Sequence, residues 1–219
     1  MSRIMFTKGF ALGFVSLLFA EAALARQPIE PVQIEPGAVF VFSDGRAERF
    51  VEDKGDTEVW ATRKGREFVR SPNFTVPILE WEVGSVEGKR SISGNADAIW
   101  PPRENLRSRF RVTTDVTRDK DSSRRSLQYW SCSTGKFETR ELPFGEAEVI
   151  PVACDRYSPS NMNLLERRTW LWAPDIGHYV ERSFQNLSTG ERETITLCAK
   201  IPGRTVTEKR IDAIIEQGC

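Results

Sequence analysis

Arg109-Phe110-Arg111-Val112-Thr113-Thr114-Asp115-Val116 alternates without interruption: Phe110, Val112, Thr114 and Val116 fall on one side of an extended chain, and Arg109, Arg111, Thr113 and Asp115 on the other. A period of two sends successive side chains to opposite faces, so the stretch predicts a strand with one buried and one wet face. Upstream the same pattern recurs in shorter pieces. Residues 38–42 are apolar and aromatic; Ser43-Asp44-Gly45-Arg46 is a turn in which Asp-Gly supplies the positive φ of a tight hairpin; 46–52 return. Lys54-Gly55-Asp56 turns before 57–63, and Lys64-Gly65 leads into 66–70. These runs predict a β-meander. Residues 75–83, with Trp81, predict a further strand that Pro77 pushes toward an edge or a bulge, and 85–93 follow. Trp100-Pro101-Pro102 prevents regular structure in 94–106, which reads as a long connection between two halves.

Downstream, 125–132, 137–142 and 148–154 are strand-like, with turns at Thr134-Gly135 and Phe144-Gly145-Glu146. A polar loop at 157–164 precedes strands at 168–173, 178–184 and 193–199, with turns at Pro174-Asp175-Ile176-Gly177 and Ser188-Thr189-Gly190. Residues 206–217 predict a helix: Thr205 and Glu208 form a capping box, Ile211, Ile214 and Ile215 one apolar face, and Gly218 a C-terminal cap. The expected fold is mainly β: a curved antiparallel sheet, or an open barrel or sandwich, of about ten to twelve strands with one short C-terminal helix. The long connection and the helix are expected to cover the sheet.

The N-terminus reads as a secretory signal over residues 1–25. Arg3 and Lys8 form a positive flank, 10–20 an apolar run, and Ala23-Leu24-Ala25 a small-x-small cleavage site. Glu21 ends the run short of the roughly 20 apolar residues a spanning helix needs, so no stable membrane insertion is expected after removal of the leader. No cysteine follows the cleavage site, which argues against a lipid anchor. The exported domain is then 26–219, periplasmic or secreted from a bacterium. Lys+Arg and Asp+Glu number 31 each, which gives no global drive toward nucleic acid or an anionic membrane. Local basic bias at Arg103, Arg107, Arg109, Arg111, Arg124 and Arg125 reads as a solvated strand face.

The four cysteines, Cys132, Cys154, Cys198 and Cys219, are spread singly in an exported chain and are expected to form two disulfides. Cys132–Cys154 and Cys198–Cys219 are favoured, the second tying the terminal helix back to a strand. The first meets a difficulty if the strands of 127–154 form a simple meander. The outer two would then lie about 9.6 Å apart, against the roughly 7 Å a disulfide tolerates. Cys154–Cys198 is the competing pairing. No metal site is expected, because only His178 could add an imidazole.

The segment Gly37-Ala38-Val39-Phe40-Val41-Phe42-Ser43-Asp44-Gly45-Arg46, the triplet Trp130-Ser131-Cys132 and above all Thr169-Trp170-Leu171-Trp172-Ala173-Pro174-Asp175-Ile176-Gly177-His178-Tyr179-Val180 resemble an uncharacterised family of exported β-domains from Gram-negative bacteria, a domain of unknown function with a W-x-A-P-x-[IV]-G segment. The resemblance implies an envelope location and an antiparallel sheet. It brings no catalytic residues.

Enzyme chemistry finds little support in the sequence. A Ser-His-Asp arrangement would have to use His178, and no Gly-x-Ser-x-Gly elbow accompanies it. No phosphate-binding loop, dinucleotide fingerprint or zinc-protease motif is present, so neither a cofactor nor catalysis is expected. Candidate binding residues are Trp130, Trp170, Trp172 and His178. Trp170 and Trp172, two apart on a strand, are core if they point inward and a platform for a sugar or a partner if they point outward. The expected function is a non-catalytic periplasmic binding or scaffolding domain for an envelope protein, glycan or lipid. The alternative is a carrier or sensor of an apolar, lipid-like ligand in the concave face of the sheet. An enzyme without a recognisable motif ranks last.

Overall fold

The computed structural model describes residues 30–118 and 122–219; the leader read at 1–25 lies outside the described residues. The strands are β1 (Val39–Phe42), β2 (Ala47–Asp53), β3 (Glu58–Thr62), β4 (Glu67–Arg70), β5 (Glu80–Val83), β6 (Val86–Gly94), β7 (Arg107–Arg118), β8 (Ser122–Thr134), β9 (Glu138–Leu142), β10 (Gly145–Tyr157), β11 (Leu164–Ala173), β12 (His178–Asn186) and β13 (Arg192–Ile201), followed by α1 (Glu208–Gln217). Nearly every strand pairs antiparallel with its predecessor. β9 is the exception: β8 and β9 lie end to end along β10, with Thr134 opposite Val152 and Glu138 opposite Val149. β13 returns to β1, Ile201 opposite Val39, and closes the sheet. The result is a closed antiparallel barrel of twelve strands with β9 as an extra. Closure satisfies both edges that an open sheet would leave unpaired.

The end-to-end placing of β8 and β9 removes the difficulty over the first disulfide. No strand intervenes between β8 and β10, so Cys132 and Cys154 face each other directly with Cα atoms 4.0 Å apart, and they are bonded. Cys198 and Cys219 form the second disulfide, which ties the end of the chain to β13.

β1 is buried on both faces. Phe40 and Phe42 point into the barrel. Val39 and Val41, with Ala47 and Ile201, point outward and are covered by Ile211, Ile214 and Ile215 of α1. The helix therefore sits outside the barrel wall, and Arg63 pins it through Glu208 at 3.1 Å and Asp212 at 2.6 Å. Its cap differs from the sequence reading. Thr207, not Thr205, accepts a hydrogen bond from the Arg210 amide, and Thr205 ends a 3-10 turn at Gly203–Thr205. The residue three after Thr207 is an arginine, so no capping box forms.

The two ends of the barrel differ. Turns 43–46, 63–66, 84–85 and 187–191 and loop 158–163 ring one end, here the open end. The opposite, plugged end carries the N-terminal segment, connections 71–79 and 95–106, turn 174–177 and the chain leading to α1. Eight strands make an interior that side chains just fill; twelve make a wider one. Here the extra space is taken up at the plugged end by chain. The strand expected at 75–83 forms only from Glu80, because 71–79 turn into the interior. Asn73 holds them there. Its amide donates to Ala96 O at 3.0 Å, and its Oδ1 accepts from the Thr75 hydroxyl at 2.7 Å. Turn 174–177 is where the N-terminal segment crosses, with Val32 N donating to Pro174 O at 3.1 Å. A Cβ on Gly177, at φ +72, would lie 2.3 Å from Val32 O, which accounts for the glycine in the Ala-Pro-Asp-Ile-Gly segment.

β7 and β8 form a long hairpin. β8 pairs with β10 only over 129–134, so 122–128 rest on β7 alone and rise beyond the open end.

Candidate functional site

The inward positions at the plugged end carry aromatic rings; toward the open end they carry charge. Glu48 shares a face of β2 with Phe50 and Arg168 one of β11 with Trp170, each on the open side of its ring; Arg70 shares a face of β4 with Phe68 but stands on the plugged side of it and borders the pockets at both ends. Arg46, Arg70, Arg90, Arg156, Arg168 and Arg182 surround one pocket of about 360 Å³, with Glu48 and Glu166 as its carboxylates. Phe68, Phe74, Val76, Pro77, Trp130 and Trp170 also line it.

The charges form two Arg–Glu–Arg groups and two further arginines. Glu166, only 3% exposed, takes Arg156 at 2.7 Å and also Arg168. Glu48 takes Arg46 and Arg70, each at 3.4 Å, while Arg46 also reaches Asp44 at 2.5 Å and Arg70 reaches Glu58 at 3.8 Å. Arg90 bonds to neutral oxygens, Thr114 Oγ1 at 3.2 Å and Ile78 O at 2.6 Å. Its guanidinium lies 4.2 Å over the Trp81 ring, and Gly88 makes the room, since a Cβ there would fall 1.9 Å from that ring. Arg182 reaches Glu193 at 3.2 Å near the rim. Arg182 Nε and Arg46 Nη2 are buried without a hydrogen-bond partner among the described residues.

Burial lowers the pKa of Arg168; Glu166 opposes this, and Arg182 and Arg156 lower it further. Burial also lowers that of Arg90, and the charge of Arg168 adds to the effect. Arginine keeps its proton regardless. For Arg168 and Arg90 these directions mean that guanidiniums repel one another in a place that solvates them poorly, and an anion entering there relieves both costs. Burial lowers the pKa of Arg46 too, but Glu48, Tyr179 and Asp44 outweigh it and raise it.

A second pocket of about 350 Å³ lies at the plugged end, between the N-terminal segment, Glu58, Arg70, Phe74, Trp100 and His178. His178 Nδ1 is 2.9 Å from Tyr179 O and Nε2 is 3.2 Å from Arg70 Nη2. The carbonyl only accepts and the guanidinium only donates, so the imidazole is the neutral Nδ1–H tautomer with both nitrogens engaged. Burial, then Arg70, hold its pKa well below 6.5; the Tyr179 carbonyl opposes them, and Lys200 and Arg46 lower it further. A base depressed in the folded state stabilises the fold fully above the unfolded value and loses that contribution as pH falls. The chain has one histidine. Stability should therefore drop between pH 6.5 and about 5, where carboxylates contribute little. His178→Gln should be less stable than wild type at neutral pH and show a flatter profile over that window. Urea unfolding at a series of pH values checks this, and equal slopes for the two proteins would refute it.

The residues singled out from sequence are all interior. Trp130 and Trp170 both line the arginine pocket. Trp172 is fully buried, edge-on to Trp100 at 5.9 Å. His178 belongs to the pocket at the other end. The arginines were not singled out, although Glu166 and Arg168 stand in phase with Trp170. Among the described residues, no group of His, Cys, Asp and Glu is arranged to hold a metal ion. No helix among them is long and apolar enough to cross a membrane.

No family matches the sequence, and no curated protein matches it. Among solved structures, the hypothetical lipoprotein YmcC from Escherichia coli (K12) is similar, with 9% identity and a TM-score of 0.47 over 75% of this chain and 84% of that one. A protein with YmcC-like fold from Bacteroides fragilis NCTC 9343 is 12% identical, with a TM-score of 0.42 over 80% of this chain and all of the other.

Proposed function

We propose that this chain is a non-catalytic, exported binding protein that takes a negatively charged ligand into the open end of its barrel. The observation that carries this reading is the pocket itself. Six guanidiniums and two carboxylates line a space of about 360 Å³. Arg46, Arg70 and Arg182 also reach Asp44, Glu58 and Glu193 at its margins, and two of the arginines present buried nitrogens without partners among the described residues. Guanidinium forks match phosphate and carboxylate oxygens in pairs. Such a lining favours charge over the apolar-ligand reading. The engagement of both His178 nitrogens supports a non-catalytic role. The two disulfides support an oxidising location outside the cytoplasm.

Thermal unfolding of the mature protein at constant ionic strength tests the proposal, with chloride replaced in turn by inorganic phosphate, pyrophosphate or citrate. A ligand at 100 times its Kd adds about 2.7 kcal/mol. That amounts to a rise in Tm of about 5–10 °C for a chain of this length. Arg90→Gln combined with Arg168→Gln should abolish the rise. If none of the three anions stabilises the wild type beyond chloride, the lumen is not an anion site.

A further inference from the structure

We infer that the ligand is a linear polyanion, whose end group lodges among the lumen arginines and whose chain leaves along the inner face of the β7–β8 hairpin, over Arg124 and Arg118. This rests on the lumen being an anion site and adds what lies beyond it.

The strand register carries the argument. Arg90 is opposite Thr114, which is opposite Ser126. One step further from the lumen, Gly88 is opposite Val116 and Val116 opposite Arg124. One step more brings Val86, Arg118 and Ser122 into line. Residues two apart on a strand share a face, and each such step rises about 7 Å. No register shift interrupts β6, β7 or β8 along these pairings. Arg124 and Arg118 therefore stand on the inner face, roughly one and two steps above Arg90. Arg90 already leans onto that wall through Thr114.

The two faces of this wall differ in charge. Outward at this height on β5, β6 and β7 stand Glu80, Glu82, Glu87 and Asp115, with Lys89 paired to Glu80 at 2.8 Å and Arg125 to Asp115 at 2.7 Å, while lower on β7 Arg107, Arg109 and Arg111 also face outward. Inward, from the pocket rim upward, Gln128, Ser126, Arg124, Ser122 and Arg118 offer donors and cations, and the described inner positions of β7 and β8 hold no carboxylate. A strand edge needing only protection from aggregation gains equally from charge on either face. Above the level of Arg111 the acids of this wall stand outward, while Arg118 and Arg124 stand inward with no acid beside them among the described residues, which gives a track that continues the lumen. A ligand no larger than the pocket would not reach either arginine. The chemistry shared by candidate ligands is a repeated anionic group, phosphate or carboxylate.

Calorimetric titration of the mature protein separates the possibilities. Two probe series are used, each compared per anionic group at fixed ionic strength: inorganic phosphate, tripolyphosphate and long-chain polyphosphate; and galacturonate with its oligomers. In at least one series the wild type should bind the long member about tenfold more tightly than the single unit, the gain expected from two further screened ion contacts. Arg118→Ser with Arg124→Ser should keep the single-unit affinity and lose the gain. Arg109→Ser with Arg111→Ser removes the same charge from the outer face and should keep it. The series that shows the gain identifies the anionic group. Single-unit binding without a length gain overturns the inference and leaves the lumen site standing. A gain lost equally in both double variants also overturns it, since net charge alone would then account for the gain. Absence of single-unit binding in both series removes the lumen site and the inference together.

Discussion

Glu166→Gln should lower the stability of the fold by about 3 kcal/mol, a large fraction of what a domain of this size has to lose. The carboxylate is 3% exposed and is held between Arg156 and Arg168. Its removal leaves two guanidiniums facing each other in the lumen, with Arg182 and Arg90 close enough to add to the repulsion. Breaking one partner out of a buried ion pair costs about 3–5 kcal/mol. The lower figure applies here, because the two arginine side chains keep 23% and 30% of their exposure and water screens them in part. Glu193→Gln is the control. Glu193 also pairs with an arginine, Arg182, but its side chain is 48% exposed, so its loss should cost at most about 0.5 kcal/mol. Urea unfolding of both variants gives the difference. Phosphate should restore more stability to Glu166→Gln than it adds to the wild type, because the added anion occupies the position the carboxylate left. Similar small losses for the two variants would mean that the lumen is wet enough to make its ion pairs ordinary surface pairs.

The strands were legible because alternation and turns are local. The pattern of Arg109–Val116 lies within β7 (Arg107–Arg118), and Asp44-Gly45 makes the turn expected of it, with Gly45 at φ +80. Closure was not legible: it depends on β13 meeting β1, a pairing between the two ends of the described chain that no local period reports. The interior course of 71–79 was missed for a related reason. Pro77 argued against a central strand, but only a barrel too wide for one layer of side chains gives such a segment somewhere to go. The arginine site was half legible. Glu48 before Phe50, Arg70 after Phe68 and Arg168 before Trp170 each place a charge in phase with a core ring, against the usual sorting of charge to the wet face. The phase was visible in the sequence. That the inner face becomes wet again toward one end follows only from the closed barrel, with one end plugged and the other open.

Replacing Cys132 and Cys154 together by alanine should cost more than replacing Cys198 and Cys219, although chain entropy alone predicts equal losses. The two disulfides close loops of almost the same length, with sequence separations of 22 and 21. For loops of that size the entropic model gives about 3 kcal/mol each. Their surroundings differ. Cys132 and Cys154 are buried at 2% and 0% exposure within the main core, opposite each other in the barrel wall. Opening that bond loosens an element that unfolds only with the whole barrel, and alanine leaves space where sulfur packed. A loss of about 3–4 kcal/mol is expected, seen as a fall in Tm of about 6–16 °C. Cys219 is exposed and follows α1, which lies outside the barrel and is also held by Ile211 and by Arg63. Without the Cys198–Cys219 bond, the helix end can fray while the barrel stays closed, so most of the loss should be local. Amide exchange should then quicken in α1 and at the outer face of β1 but not in β8 or β10. Reductant added to the wild type should reproduce the larger effect only under conditions that open the barrel, because the inner bond is shielded. Equal falls in Tm for the two double variants would mean that α1 unfolds together with the barrel as one cooperative unit, and that the outer helix is part of what keeps β13 closed on β1.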